Sequence, residues 1–186
     1  MEEKKLNNER IKKLVLGAFF IALGVVLPFL TGQIPQVGSA LLPMHIPALL
    51  AGIICGPQVG ILVGFISPLL RSVTFGMPPM FPVAIAMAFE LATYAVVIGL
   101  VYQKLEGKKF QIYISLITSM IAGRIAWGLA MFVLMGMAGG KFTFAIFIGG
   151  AITGAIPGII LQLVCIPTVI YALKSTKVIK FAKVKG

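Results

Sequence analysis

Ser67 to Tyr94, SPLLRSVTFGMPPMFPVAIAMAFELATY, decides how the rest of this chain is read. It closes one long apolar run on an arginine, Arg71, and turns through the stiff loop Gly76-Met77-Pro78-Pro79-Met80. It then opens a second apolar run that carries a glutamate, Glu90. Placing an arginine or an acid near the middle of a membrane helix costs about 2.5–3.5 kcal/mol even on lenient insertion scales, so such a residue faces a partner, a cavity or a ligand. A hairpin with one charge on each arm reads as one wall of a binding pocket.

Composition supports the membrane reading along the whole chain. The 186 residues are 59% hydrophobic and only 11% charged, and the mean hydropathy is +1.05. Soluble domains carry roughly 25% charged residues. The length leaves room for several spans and no separate catalytic module, so one transmembrane domain over 1–186 is expected. The first apolar segment follows a charged head without a small-residue cleavage site and reads as a retained helix.

The formal charge of +11 comes from 16 Lys and Arg against five acids. Most of these cations cluster outside the apolar runs, in a head (1–13, with Lys4, Lys5, Arg10, Lys12 and Lys13), a turn (Lys104, Lys108, Lys109) and a tail (174–186). Such clusters anchor the cytoplasmic side and attract anionic headgroups of the lipid bilayer. No run of aromatic residues interleaves with them, Phe181 standing alone in the tail, so nucleic acid is not an expected partner. Cys55 and Cys165 lie far apart in apolar runs with no metal-ligand spacing. They read as reduced packing residues, and no metal site is expected.

Working outward from the hairpin gives six spans. The run Ile46 to Leu70 divides at Gly56-Pro57, because a glycine followed by a proline at a first helical position is a stop and start signal. With the division, head, 104–109 turn and tail all fall on one side; without it there are five spans and opposed termini. The expected spans are Leu14–Leu30, Met44–Gly56, Gln58–Phe75, Phe81–Gln103, Phe110–Met135 and Phe144–Leu173, with both termini cytoplasmic. Gly150, Gly154 and Gly158 in the last span form an expected packing ridge. The connection 31–45, TGQIPQVGSALLPMH, is broken by Gly32, Pro35, Gly38 and Pro43 and is expected to stay non-helical. It reads as an outer lid in which Gln33 and Gln36 offer donors and acceptors.

Ionisable residues away from the basic side are His45, Arg71, Glu90, Arg124 and Lys141, all placed in the middle or outer half. Two arginines against one glutamate leave a positive charge unmatched, which an anionic or strongly polar ligand would complete. The other reading of Arg71, Glu90 and Arg124 is an internal ion pair that pins helices. Tyr94 and Trp127 could stack on a flat ligand or simply pack, and His45 could cap the loop or touch ligand. Chemistry by the chain itself has little support. There is no HExxH and no paired carboxylate, and Gly139-Gly140-Lys141-Phe142 fails the phosphate-loop pattern at Met135 and Phe142. No catalytic residue and no cofactor is assigned.

On the first span Ala18 and Ala22 stand one turn apart beside Gly17, a small-xxx-small face on which another helix can approach closely, whether from this bundle or from a partner. Together with Leu42-Pro-Met-His-Ile-Pro47, Ala51-Gly52, Cys55-Gly56-Pro57, Pro68-Leu-Leu-Arg71 and Gly76-Met-Pro-Pro79, this pattern resembles the S component of an energy-coupling factor (ECF) vitamin transporter. The resemblance implies a six-helix subunit, not an enzyme, that captures a vitamin from outside between helices four to six and the outer loops. It implies that Ala18 and Ala22 dock on a transmembrane T component, that two cytoplasmic ATPases supply the energy, and that 31–45 is the lid. The arginines favour an acid such as pantothenate; pyridoxine, hydroxymethylpyrimidine and riboflavin stay open. The rival reading is a membrane-embedded enzyme or an autonomous small-solute carrier.

Overall fold

The computed structural model describes residues 2–31, 34–151 and 153–176, and all regular structure among them is helical. Helix α1 (Glu2–Val26) tightens into a 3-10 turn over Leu27–Thr31. It is followed by α2 (Pro35–Leu41), α3 (His45–Ile54), α4 (Pro57–Phe75), α5 (Ile85–Lys104), α6 (Gln111–Met137), α7 (Phe144–Ala151) and α8 (Ile156–Thr176). Helices α1, α4, α5, α6 and α8 are long and apolar enough to cross a membrane, whereas α3 has ten residues.

The division at Gly56-Pro57 is present as expected. Gly56 has φ +91°, a backbone region that disfavours any residue with a Cβ, and Pro57 opens α4 at a position where a missing N–H costs nothing. The chain thereby reverses within two residues.

Contacts along the helices fix their directions. Gly17 and Gly24 of α1 face Val59 and Ser67 of α4, so these two helices run parallel. Gly60 and Gly64 of α4 face Ala95 and Leu91 of α5, which is antiparallel to it. Helix α3 runs with α5, meeting Glu90 at His45 and Ala95 at Gly52. Helix α6 runs against α5, from Gln111 beside Tyr102 to Arg124 beside Glu90. Helix α8 runs with α5, from Gly158 against Leu42 to Lys174 above the ring of Tyr102. Among the described residues the five membrane-length helices and the short α3 therefore alternate in direction, and α8 ends beside the same end of the bundle from which α1 starts. That end carries the basic turn after α5; the opposite, lid end carries α2, His45 and Arg71.

Close backbone approach makes the centre. A Cβ on Gly52 would stand 2.3 Å from the Ala95 carbonyl oxygen, and one on Gly64 would stand 2.4 Å from that of Leu91. Without a hydrophobic drive between helices in lipid, such contacts between small residues supply the dispersion energy that holds a bundle together. Around them pack Leu49, Ile53, Tyr94, Ile98, Leu116, Ile166 and Ile170, all almost wholly buried.

Two expectations are corrected here. The lid segment contains a helix, α2: Pro35 sits in its first turn, where proline is tolerated, and Leu42 ends it in the left-handed region at φ +52°. Gln36 is exposed, while Gln33 lies outside the described residues. The span expected over Phe144–Leu173 is instead α7, a 3-10 turn at Thr153–Ala155, and α8, which restarts around Pro157. Its glycines consequently form no common ridge, for Gly150 lies against Trp127 and Gly158 against Ala40 and Leu42.

Candidate functional site

Glu90 is the centre of the polar interior. It lies on α5, 1% exposed, and its Oε1 accepts a 2.7 Å hydrogen bond from Arg124 Nη1 on α6. His45, also 1% exposed, opens α3 and brings Nε2 to 3.4 Å from the same oxygen, without hydrogen-bond geometry. Tyr94, one turn after Glu90, packs its ring edge-on to His45 with centroids 5.2 Å apart. Gly123 makes room for that ring, since a Cβ there would stand 2.4 Å from Tyr94 Cδ2. Three helices thus bring together four of the residues singled out in the sequence, Glu90 with Arg124 and His45, and Tyr94 against His45.

Charge within this cluster balances at Glu90 and Arg124, but its hydrogen bonds do not. Arg124 uses Nη1 on Glu90 and leaves Nε and Nη2 buried without a partner. These two donors form one edge of the guanidinium, the edge that takes a carboxylate in a bidentate grip. Both ring nitrogens of His45 are likewise buried and unpartnered. An unpaired buried donor costs on the order of 1–3 kcal/mol, a cost that the fold carries at both residues.

Arg71 and Trp127 have other partners. Arg71 is 3% exposed, donates from Nη1 to the Val25 carbonyl at the end of α1, and lies over the rings of Phe29 and Phe75 at 5.0 and 5.5 Å. It ties α4 to the turn that leads into the lid. Trp127 stacks on Phe147 at 6.3 Å and meets Phe142 edge-on at 5.9 Å, joining α6 to α7. A groove of about 650 Å³ runs over the lid end of α6 between Phe132, Met137, Lys141 and Thr143. It is open and largely apolar and is not lined by the Glu90 cluster, which is the better candidate because its donors are both buried and unused.

Sequence reasoning centred on charges passed over Gln162. This side chain is 0% exposed on α8, and neither its Nε2 nor its Oε1 has a hydrogen-bond partner. The available signal was an amide standing alone in the apolar run Ile156 to Val164.

On α1, Ala18 and Ala22 are exposed together with Leu14, Val15, Phe19 and Val26. Gly17 and Gly24 occupy the opposite, buried face against α4. The two alanines therefore make no contact inside this bundle that buries them.

No curated protein and no solved structure matches the chain. The family model described as "ECF transporter, substrate-specific component" matches residues 12–170, which takes in every helix of the site. With its several membrane-length apolar helices, this is a multi-pass protein of the cell membrane. The chain belongs to the family of substrate-specific components of ECF transporters, the subunits that bind a small-molecule substrate and work with T and ATPase partners.

Proposed function

We propose that this chain captures a vitamin carrying a carboxylate or carbonyl group, pantothenate first among the candidates, at the Glu90–Arg124–His45 cluster beneath the segment 31–45. The observation that carries the reading is the unused Nε–Nη2 edge of Arg124, buried beside a carboxylate that already neutralises the guanidinium. A ligand carboxylate or carbonyl would accept from that edge, and His45 would supply a further donor or acceptor. Arg71 serves the site by holding the lid's root to α4 through Val25, rather than by touching ligand.

The alternating helix directions and the basic turn beside the start of α1 support cytoplasmic termini and a lid that faces outward. The exposed Ala18–Ala22 face supports docking of α1 on a transmembrane T component. Two cytoplasmic ATPases would energise release, because binding alone shifts an equilibrium and cannot pump. The chain itself has no catalytic role in this scheme.

Native mass spectrometry of the purified protein, followed by calorimetric titration with pantothenate, pyridoxine, hydroxymethylpyrimidine and riboflavin, tests ligand and class together. A co-purified molecule identical to one that titrates is expected. In liposomes the chain alone should not accumulate that molecule. Accumulation without ATPase subunits would establish an autonomous carrier and overturn the scheme.

A further inference from the structure

Gln162 stands in the membrane interior with a primary amide that the fold leaves wholly unpaired. Packing alone would be served better by leucine, since burying an amide without a hydrogen bond is unfavourable in any apolar medium. Its place in the bundle explains why an amide is there. Gly158 of α8 lies against Leu42, and α8 runs in the same direction as α3. Lys174 of α8 lies over the ring of Tyr102 of α5, and Gln162 precedes Lys174 by the same twelve residues by which Glu90 precedes Tyr102, so on these parallel helices Gln162 and Glu90 stand at about one depth. Helix α8 packs on α3, which carries His45, and on α6, which carries Arg124.

We propose that Gln162 is a substrate-recognition side chain, which takes a hydrogen-bond donor and an acceptor lying side by side on the ligand. This rests on the reading of the Glu90 cluster as the binding site and narrows its substrate class. Arg124 takes a carboxylate or carbonyl at one end, and the Gln162 carboxamide takes a second polar group at the other. An amide carries its N–H donors and its carbonyl acceptor on one planar group. The hydroxyl next to the amide carbonyl of pantothenate presents the complementary pair, as does the amino group next to a ring nitrogen in hydroxymethylpyrimidine. A purely apolar or singly polar ligand does not.

The test uses Gln162→Leu and Gln162→Met in the full-length chain, titrated with the same four compounds and melted without ligand. For the compound that the wild type binds, both variants should bind at least tenfold more weakly. Their ligand-free melting temperatures should equal or exceed that of the wild type, because an unpaired amide has been removed. Equal affinity in either variant, or ligand-free melting lowered in both, would show that the amide serves the fold, and would overturn this inference alone. If the wild type binds none of the four, the site reading fails at that step and the inference goes with it.

Discussion

Arg124→Lys separates the two jobs that the structure gives this arginine. Lysine keeps a positive charge beside Glu90 Oε1, where Arg124 Nη1 now sits at 2.7 Å, but it cannot reproduce the planar edge formed by Nε and Nη2. Loss of hydrogen bonds to a charged group costs about 1.5–3 kcal/mol. At about 1.4 kcal/mol per factor of ten, that is a roughly 12- to 140-fold larger dissociation constant. Arg124→Ala is the control: it leaves Glu90 buried and unpaired, and removing one member of a buried pair costs about 3–5 kcal/mol of stability. Calorimetric titration with pantothenate, or with whichever of the four compounds the wild type binds, gives affinity, and a thermal melt without ligand gives stability. Lysine should retain most of the melting temperature and lose the affinity, whereas alanine should lose both. If Arg124→Lys binds like the wild type, the unused edge does not meet ligand and the pair with Glu90 is purely structural.

Two other substitutions address the parts around the site. Replacing Ala18 and Ala22 with leucine should abolish ATP-dependent uptake by the reconstituted complex while leaving substrate affinity within about twofold, since neither side chain is buried in this subunit; weakened binding would assign the two alanines to the fold. Arg71→Ala removes the hydrogen bond to Val25 and the contacts with Phe29 and Phe75, and should lower ligand-free stability by about 1.5–3 kcal/mol. A large loss of affinity in Arg71→Ala at unchanged stability would instead return Arg71 to the ligand.

Much of this architecture was legible because membranes impose strict terms. Long apolar runs must be helices, and Gly56-Pro57 marks a reversal by backbone sterics alone. The lid helix and the break between α7 and α8 were misread for one reason: glycine and proline mark helix ends as often as they mark loops. Pro35 and Pro157 both open helices here. Which charges meet was beyond the sequence. Glu90 and Arg124 are brought together by the rotation of α5 against α6, which depends on where small residues such as Gly123 permit close approach. Arg71 is held by the Val25 carbonyl, a backbone group common to every residue type, so nothing in the letters announces it.

The shortness of α3 bears on how this protein is made. Ten residues span roughly 15 Å at the helical rise, half of a hydrocarbon layer of ~30 Å. During synthesis this segment cannot partition into the bilayer unaided. Nine of its ten residues are buried, beside α1, α4, α5 and α8. Its seat therefore exists only after downstream segments have emerged from the ribosome, α5 above all, since Gly52 closes against Ala95. Biogenesis would accordingly deliver α3 and α4 as a joined pair and seat the former once α5 has emerged, so a ribosome arrested before Ala95 should hold a nascent chain whose third helix has not yet found its place.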